Sequence, residues 1–359
     1  MKKKIAIVTC YHQPDYVRSE TLRDALRRQK DVDLIVIKNK HKGMLRYPEV
    51  LWQVWRAKLR EKPDAFLLTF RGQEILPLVL LLVGRTPLWF DEFIVPAAYA
   101  KYEKHKKSPA IVLKHTLSRL GTPLYNLCLR RCSAILADTA AHAELSAKFA
   151  RVNLSRYVPV PVGADEKVFY PKKAKKAEKF QIFYYSTGMQ PLHGVPVVLA
   201  VAESMQNDPV EFVLVGGKSP MKQAVRAAQK NGAHIRYESW LPIQELAETM
   251  RASHLSLGGP FGGTRQAKNV VTGKTYQSLA CEVATVVGDG MATDAAFQDR
   301  VNCLKVPQND ADALRVALRW ALHNTTELTT IAARGRVLFE KKFSAAVIGQ
   351  LLRPLLDAL

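Results

Sequence analysis

Short apolar runs alternate with segments of helical periodicity along most of the chain, and this alternation constrains the fold more than any other feature. Buried strands are predicted at residues 4–9, 34–37, 66–70, 88–90, 134–137, 180–185, 210–215, 235–240 and 254–258. Helical segments separate them, and three further helices follow at 310–323, 326–341 and 344–359. Because short strands alternate with helices, the chain is predicted to form parallel, doubly wound sheets. The expected fold class is α/β, with two Rossmann-like doubly wound domains facing across a cleft.

A lysine-rich stretch marks the expected domain boundary. The segment KKAKKAEK follows Pro171 and carries five lysines with little apolar content, which is typical of a linker. We therefore place an N-terminal domain at residues 1–170 and a C-terminal domain at 171–343. The last segment, 344–359, is expected to fold back on the first domain. A cleft hinged by such a linker suits a reaction with two substrates.

The charge of the chain is strongly positive and unevenly spread. The formal net charge is +21, and residues 1–170 hold 30 Lys/Arg against 16 Asp/Glu. Such a first half attracts polyanions: nucleic acid, anionic lipid headgroups or phosphorylated substrates. Its densest basic run is KYEKHKKSPAIVLK, residues 101–114, which is either a solvated helix face or a surface that docks on anionic lipid. No nucleic-acid-binding motif accompanies the charge, so nucleic acid is disfavoured as a partner.

The compartment of the protein is inferred from its ends and its cysteines. MKKK leads directly into a predicted strand rather than a signal-type apolar region. The most apolar run, ILPLVLLLV at 75–83, has nine residues and is predicted to be a buried helix, since spanning a bilayer takes about 20. Five scattered cysteines, with no metal-ligand spacing beyond one C-x3-C, favour free thiols and argue against zinc. We expect a cytoplasmic protein.

Polar residues follow the first-half strands, where doubly wound sheets bind their ligands. They are His12, Asp15, Arg18, Arg71, Gly72, Asp91 and Glu92. The G-x-G-x-x-G fingerprint is absent from the first turn, which disfavours a nicotinamide enzyme. Asp91 directly follows a buried strand, where a general base or a ligand for a substrate hydroxyl belongs. A helix N-cap or a solvated loop acid explains the same position equally well.

The segment from Gly258 to Gly290 is the strongest ligand-binding candidate. Four glycines, at 258, 259, 262 and 263, lie within six positions, so the backbone there is free to turn sharply and approach a ligand closely. A helix that begins after such a loop points unpaired N–H groups and a positive dipole end at the loop. Lys268 and Lys274 lie beside that end. The combination predicts an anion-binding loop.

Four segments of the second half carry a resemblance to a known family. They are STGMQPLHGV, FVLVGG, ESWLPIQELAETMRASHLSLGG and GKTYQSLACEVATVVGD. Together they resemble the nucleotide-sugar domain of GT-B glycosyltransferases, particularly the bacterial family-four (glycogen synthase and mannosyltransferase-like) group. In the first half, LWFDEFIVPAAY, ILADTAAHAELSAKF and VPVGADEKVFYP look like landmarks of that family's acceptor domain.

The resemblance implies a GT-B fold and a retaining, metal-independent hexosyltransferase of polysaccharide biosynthesis. Its donor substrate would be a UDP- or GDP-sugar, with no further cofactor. Its acceptor would be a saccharide or a lipid-linked saccharide at the cytoplasmic membrane face, where the basic first domain contacts anionic lipid. Asp91 and Lys274 are then the catalytic candidates. The implied donor-binding residues are Gly188, His193, Gly216, Gly262, Gly263, Thr264, Arg265, Val271, Thr272 and Gln277.

Several positions depart from the family pattern. Two glutamates eight positions apart are common in the family, and Asn269 and Gln277 stand at that spacing here. Met189 and His193 stand where an arginine and a lysine are usual. Positive charge for the leaving diphosphate would then come from Arg265, Lys268 and Lys274. Gln277 is still able to hydrogen-bond a ribose hydroxyl, without the charge of a carboxylate.

These departures leave alternatives open. A non-catalytic sugar-nucleotide-binding partner of another transferase would tolerate the lost glutamates. A GT-B-fold epimerase is disfavoured, because few carboxylates lie near the loop. The role of Asp91 depends on stereochemistry: an inverting enzyme would use it as a base, and a retaining one would use it to position the acceptor.

Overall fold

The chain divides into two compact α/β units, each built on a six-stranded parallel sheet. A computed structural model describes residues 2–94, 121–293 and 296–359. The first unit comprises Met1–Pro161 and Ala345–Leu359, and the second comprises Val162–Ser344.

The unit division lies nine residues before the boundary expected at Pro171. Arg251 of the second unit explains the shift, because its guanidinium donates to the backbone carbonyl of Val168 at 3.0 Å. Lys176, inside the predicted linker, also donates to the carbonyl of Ser253 at 2.6 Å. The stretch between the sheets is therefore held to the second unit by these hydrogen bonds.

The first unit contains the strands β1 Lys3–Thr9, β2 Val32–Lys38, β3 Ala65–Leu68, β4 Leu88–Asp91, β5 Ala134–Ala137 and β6 Tyr157–Pro159. It has the strand order β2-β1-β3-β4-β5-β6. Its helices are Val17–Arg27, Arg46–Arg60, Leu76–Val83, residues 121–131, Ala140–Ala150 and Ala345–Asp357. The last of these packs against helix Val17–Arg27. It buries Ile348, Leu352 and Leu356, which lie on one helical face because they are four residues apart.

The second unit contains the strands β7 Phe180–Tyr185, β8 Val210–Val215, β9 Ile235–Glu238, β10 Leu255–Leu257, β11 Ala284–Asp289 and β12 Leu304–Pro307. It has the strand order β12-β11-β10-β7-β8-β9. Its helices are Val195–Ser204, Ser219–Lys230, Ile243–Ala252, Arg265–Asn269, Gly273–Ala280, Ala311–His323 and Thr325–Lys342. The predicted α/β class with two doubly wound sheets is confirmed.

Strand order reverses at one point in each sheet, and these two points position the candidate sites. In the first sheet β1 has β2 on one side and β3 on the other. In the second sheet β7 lies between β8 and β10. Loops that leave the carboxyl ends of such strand pairs diverge to opposite faces of the sheet and open a crevice between them. The residues after β1, β3, β7 and β10 therefore lie at the positions where such sheets bind ligands.

The apolar run at 75–83 was predicted to be a buried helix, and this is only half right. Helix Leu76–Val83 forms and buries Leu76, Val79 and Val83. Leu78 and Leu81, however, are 48% and 78% exposed. A helix that covers one side of a sheet buries one face and turns the other outward. The basic run at 101–114 lies outside the described residues, and no helix in the described part of the chain is long and apolar enough to cross a membrane.

Candidate functional site

Two loops meet at the point where strand order reverses in the second sheet. One leaves β7 and runs to Gly194, and the other leaves β10 and carries the glycines. The N–H of Gly262 donates to the carbonyl of Leu192 at 3.0 Å. A Cβ atom at Gly262 would lie 1.8 Å from the carbonyl oxygen of Pro191. Glycine is therefore needed here because two backbones touch, with no room for a side chain.

Gly262→Ala should lower the free energy of unfolding of the second unit by about 3 kcal/mol, because the new methyl group forces the two backbones apart. Calorimetry or urea unfolding measures the change. Gly273→Ala is the matched control, since a Cβ atom there meets nothing within 4 Å, and its effect should stay within about 0.5 kcal/mol. Equal stabilities of the two variants would contradict the loop contact.

Lys274 is a buried lysine between these two loops. It is the second residue of helix Gly273–Ala280 and is 5% exposed. Its Nζ lies 3.2 Å from Nδ1 of His193. The same atom lies 5.2 Å from the ring centroid of Tyr184 and 5.6 Å from that of Tyr185. Within residues 2–94, 121–293 and 296–359, no carboxylate pairs with it.

The electrostatics of Lys274 and His193 favour the binding of an anion. Burial lowers the pKa of Lys274 from 10.5 to about 7, because an ammonium group loses its hydration in a low-dielectric site. Burial, and then the charge of Lys274, lower the pKa of His193 to about 2. His193 is therefore neutral and accepts a hydrogen bond from the ammonium group. A buried cation without an anion is costly to the fold, and such groups are concentrated at functional sites.

Gln277 and Thr272 are already engaged by neighbouring groups. The Tyr185 hydroxyl donates to Oε1 of Gln277, so the amide nitrogen is the part of Gln277 that remains for a ligand. The Thr272 hydroxyl donates to the carbonyl of Gly258 at 2.5 Å and so ties the start of helix Gly273–Ala280 to the glycine loop. Direct contact of Thr272 with a ligand stays a prediction.

The remaining predicted residues of the second unit surround this point. Gly216, with φ +92°, lies against the loop after β7, where a Cβ atom would come 2.5 Å from the Ser186 carbonyl oxygen. The Ser186 hydroxyl in turn donates to the carbonyl of Gly188 at 2.8 Å. The Thr264 hydroxyl accepts from the N–H of Ala267 at 3.1 Å and caps helix Arg265–Asn269. Gly263 lies beside Asn309, Arg265 is exposed and Val271 is buried.

Asp91 belongs to the first unit and is not a free carboxylate. Arg18 donates to Oδ1 of Asp91 from Nη2 at 2.8 Å and from Nε at 3.0 Å. Both side chains are fully buried. Nη1 of Arg18 donates to the carbonyls of Val160 and Pro161, each at 2.6 Å. The geometry is that of a structural ion pair, which argues against the base role considered for Asp91.

An aromatic cluster lies where strand order reverses in the first sheet. The ring of Tyr11 lies 5.0 Å from that of Phe70, and Phe70 lies 4.8 Å from Tyr16 and 4.9 Å from Phe93. Next to them Arg71 has a left-handed backbone, φ +64°, and a buried Nε without a hydrogen-bond partner. The sequence singled out Arg71 but not the aromatic rings. The sequence does contain a signal for these rings, since Tyr11 and Tyr16 flank the polar turn after β1.

Metal ligands do not cluster in the described ranges. Across residues 2–94, 121–293 and 296–359, no group of three or more His, Cys, Asp or Glu side chains is placed to hold an ion. All five cysteines are buried and free.

Comparisons with known proteins agree with the earlier resemblance. Residues 199–352 match the family model described as glycosyl transferase-like. No curated protein sequence matches the chain. Among solved structures, Anabaena HepE in complex with UDP-glucose is similar over 99% of this chain and all of its own, with 12% identity and a TM-score of 0.73. Sucrose-phosphate synthase from Thermosynechococcus elongatus is similar over the whole of both chains, with 16% identity and a TM-score of 0.73.

A third structure, of S. aureus TarM in complex with UDP, is similar over 86% of this chain and 59% of its own, with 10% identity and a TM-score of 0.62. These proteins are GT-B glycosyltransferases, so the resemblance drawn from the sequence is confirmed for the GT-B fold and for the glycosyl transferase-like character of residues 199–352. The family-four assignment stays a prediction.

Proposed function

We propose that the protein is a glycosyltransferase that moves a sugar from a UDP- or GDP-sugar to a saccharide or lipid-linked acceptor. In the reaction the bond between sugar C1 and the diphosphate oxygen breaks, and a bond between C1 and the acceptor oxygen forms. The acceptor proton leaves with the diphosphate in the retaining course that we favour. The donor is a substrate, and the proposed chemistry needs no further cofactor.

The observation that carries the proposal is the buried Lys274 at the strand-order reversal of the second sheet, with which no carboxylate of the described residues pairs. Breaking the sugar–phosphate bond leaves negative charge on the diphosphate. An ammonium group held in a dry site stabilises that charge far better than one in water. The first turn of helix Gly273–Ala280 adds backbone N–H groups without intrahelical partners. Together they supply the positive charge that a divalent cation would otherwise bring, so we propose a metal-independent enzyme.

The neighbouring residues take secondary roles in this proposal. Neutral His193 orients the ammonium group toward the diphosphate. The amide nitrogen of Gln277 donates to a ribose hydroxyl, since the amide oxygen of Gln277 accepts from Tyr185. The glycines at 188, 216, 262 and 263 let the backbone approach the donor.

The acceptor would bind in the first unit, on the aromatic cluster. The half-buried rings of Tyr11 and Tyr16, with buried Phe70 packed against them, offer apolar faces to a pyranose, while Arg71 offers hydrogen-bond donors. Asp91 acts indirectly there, because it fixes Arg18 and with it the start of helix Val17–Arg27, just after the turn that carries Tyr11 and Tyr16. We therefore propose a positioning role for Asp91 rather than contact with the acceptor.

The affinity for UDP-glucose should fall above pH 7, by about ten-fold per pH unit. Bound diphosphate raises the pKa of Lys274, so the complex takes up a proton that the free protein has lost above its pKa of about 7. Calorimetric titration of UDP-glucose across this range measures the slope. GDP-mannose serves as the second probe, since the proposed donor is either a UDP-sugar or a GDP-sugar.

Lys274→Arg is the control for this slope. A guanidinium group stays charged throughout the range, so its pH profile should be flat wherever binding persists. If the affinity for UDP-glucose fell with pH equally in wild type and Lys274→Arg, the titration of Lys274 would not be its cause.

The second candidate function is a non-catalytic partner that binds a sugar nucleotide. Asn269 and Gln277, in place of the family's glutamates, favour it. An assay of hydrolysis and transfer over UDP- and GDP-sugars separates the two functions. Protection against heat by a nucleotide, with no turnover on any acceptor, would favour the partner. Equal turnover by wild type and Lys274→Ala would refute the role of Lys274.

A further inference from the structure

Two arginine side chains lie close to the turn that follows β1. Arg46 begins the helix after β2, and Arg71 follows β3. Because β1 lies between β2 and β3 in the sheet, the carboxyl ends of these three strands bring both arginines to that turn. Burial, and then the charges of Arg46 and Arg71, lower the pKa of His12 in the turn, which places both guanidinium groups near its imidazole. We call Arg46 and Arg71 the arginine pair.

Each member of the arginine pair has a hydrogen-bond donor without an acceptor. The Nε atoms of Arg46 and Arg71 are buried and have no hydrogen-bond partner among the described residues. Buried donors of this kind are rare in folded proteins, because a hydrogen bond that is not made there costs stability. Arg71 also has a left-handed backbone, and backbone strain is concentrated at functional sites. The unfilled donors therefore indicate a ligand that brings oxygen acceptors.

The charges around the arginine pair leave one positive charge unbalanced. Glu74 already pairs with Arg46 at 2.9 Å. Asp15, in the turn after β1, is likewise paired, with Lys38 at 2.9 Å. Among the described residues, no carboxylate forms a salt bridge with Arg71. The site therefore needs one negative charge from a ligand.

We propose that the acceptor is a hexuronic acid residue, whose carboxylate binds the arginine pair while its ring lies on the half-buried rings of Tyr11 and Tyr16. This inference rests on the proposed function and adds the charge of the acceptor to it. The guanidinium of Arg71 lies 5.6 Å from the ring centroid of Phe70, so the cation and the aromatic cluster are close enough to hold two parts of one sugar.

A carboxylate fits the arginine pair better than a phosphate ester does. It brings one negative charge and two oxygen atoms, and its planar shape matches a guanidinium group. A phosphate ester carries about −1.5 to −2 charge at pH 7, which exceeds the one unbalanced cation. A neutral hexose offers hydroxyl groups but leaves that cation without an anion.

Binding of matched methyl glycosides to the full chain, without donor, tests the proposal. Titration by saturation-transfer NMR gives the Kd of methyl β-D-glucuronide and of methyl β-D-glucoside, which differ only in the carboxylate at C6. The glucuronide should bind at least about ten-fold more tightly, because charge-assisted hydrogen bonds replace neutral ones. Added salt should reduce the difference. Equal affinities would overturn the proposal, and tighter binding of methyl glucoside 6-phosphate would assign the site to phosphate instead.

Variants show whether the carboxylate binds at the arginine pair. Arg71→Gln should make the two affinities nearly equal, and Arg71→Lys, which keeps the charge without the planar group, should keep part of the preference. Arg85→Gln is the matched control: Arg85 is exposed and precedes β4, at the opposite end of the strands, so the preference should persist. Thermal unfolding shows whether each variant is folded. A full preference in folded Arg71→Gln would contradict the assignment, and the wild-type comparison stands without any variant.

A transfer assay separates a failure of this inference from a failure of the proposed function. With UDP-glucose or GDP-mannose as donor, transfer to the glucuronide should be faster than transfer to the glucoside. Equal transfer to both would overturn the uronic acid and leave glycosyl transfer intact. If the proposed function were wrong, neither donor would be consumed with either acceptor, while the preferential binding of the glucuronide would still support the carboxylate site.

Discussion

Lys274→Met should lower the rate of sugar transfer about 10²- to 10³-fold while making the protein more stable. The rate falls because the leaving diphosphate loses a preorganised cation. Stability rises because methionine fills the same space without a buried charge. A pKa lowered from 10.5 to about 7 corresponds to a cost on the order of 3–5 kcal/mol when the ammonium group is present in the fold. Turnover of UDP-glucose and calorimetric Tm measure the two effects.

The gain in stability should depend on pH in a defined direction. Because the folded pKa of Lys274 lies below its unfolded value, the folded state binds fewer protons between pH 7 and 10.5. The wild type therefore gains stability as pH rises through this window. The advantage of Lys274→Met should be largest at or below pH 7 and should vanish near pH 10.5.

Lys268→Met is the comparison for the stability effect. Lys268 belongs to the neighbouring helix Arg265–Asn269 but is exposed, so its charge is hydrated and its loss should change stability by less than about 0.5 kcal/mol. Equal shifts in Tm for the two variants would show that the burial of Lys274 carries no cost.

The helices and strands of this fold are predictable from the local pattern of apolar and polar residues. The strands at 134–137 and 210–215 have the bounds that their apolar runs predict, because a strand buried on both faces is apolar throughout. The strand at 180–185 also has its predicted bounds, and elsewhere the ends shift by one or two residues, as at the strand predicted over 235–240, which ends at Glu238. The predicted short helix after the glycine loop is two helices, Arg265–Asn269 and Gly273–Ala280.

The candidate functional site was only partly predictable from the sequence. The glycine-rich loop and Lys274 stand out in the sequence because their residue types are unusual at those positions. The partner of Lys274 does not, since His193 is 81 positions away and reaches it only because β7 lies beside β10. Strand order is set by packing of the whole sheet, which no local pattern encodes. The aromatic cluster was missed for the same reason, because its rings come from loops after β1, β3 and β4.

The apolar run at 75–83 shows a second limit of pattern reading. Its leucines and valines surround the helix on all sides, which predicts burial on all sides. The structure buries only the face toward the sheet and leaves Leu78 and Leu81 exposed in a groove beside Trp52 and Trp55. A uniformly apolar helix therefore does not by itself indicate that all of its faces belong to the protein core.

Asp91→Asn should lower the free energy of unfolding of the first unit by about 3–5 kcal/mol. The substitution keeps the shape of the side chain and removes its charge, so the fully buried guanidinium of Arg18 loses its only anion among the described residues. Arg18 also donates to the carbonyls of Val160 and Pro161. When Arg18 is displaced, this last segment of the first unit should become less ordered. Urea unfolding measures the loss.

The double variant Arg18→Met with Asp91→Leu distinguishes an ion pair from a catalytic carboxylate. Removing both charges leaves no unpaired ion, so most of the lost stability should return. An acceptor base predicts the opposite pattern: Asp91→Asn would keep wild-type stability and lose transfer, while donor hydrolysis would persist. Arg18 and Asp91 are 73 positions apart in the sequence, and their ion pair connects helix Val17–Arg27 to β4. A structural ion pair therefore requires that Asp91→Asn lower the free energy of unfolding by more than it raises the activation free energy of donor hydrolysis.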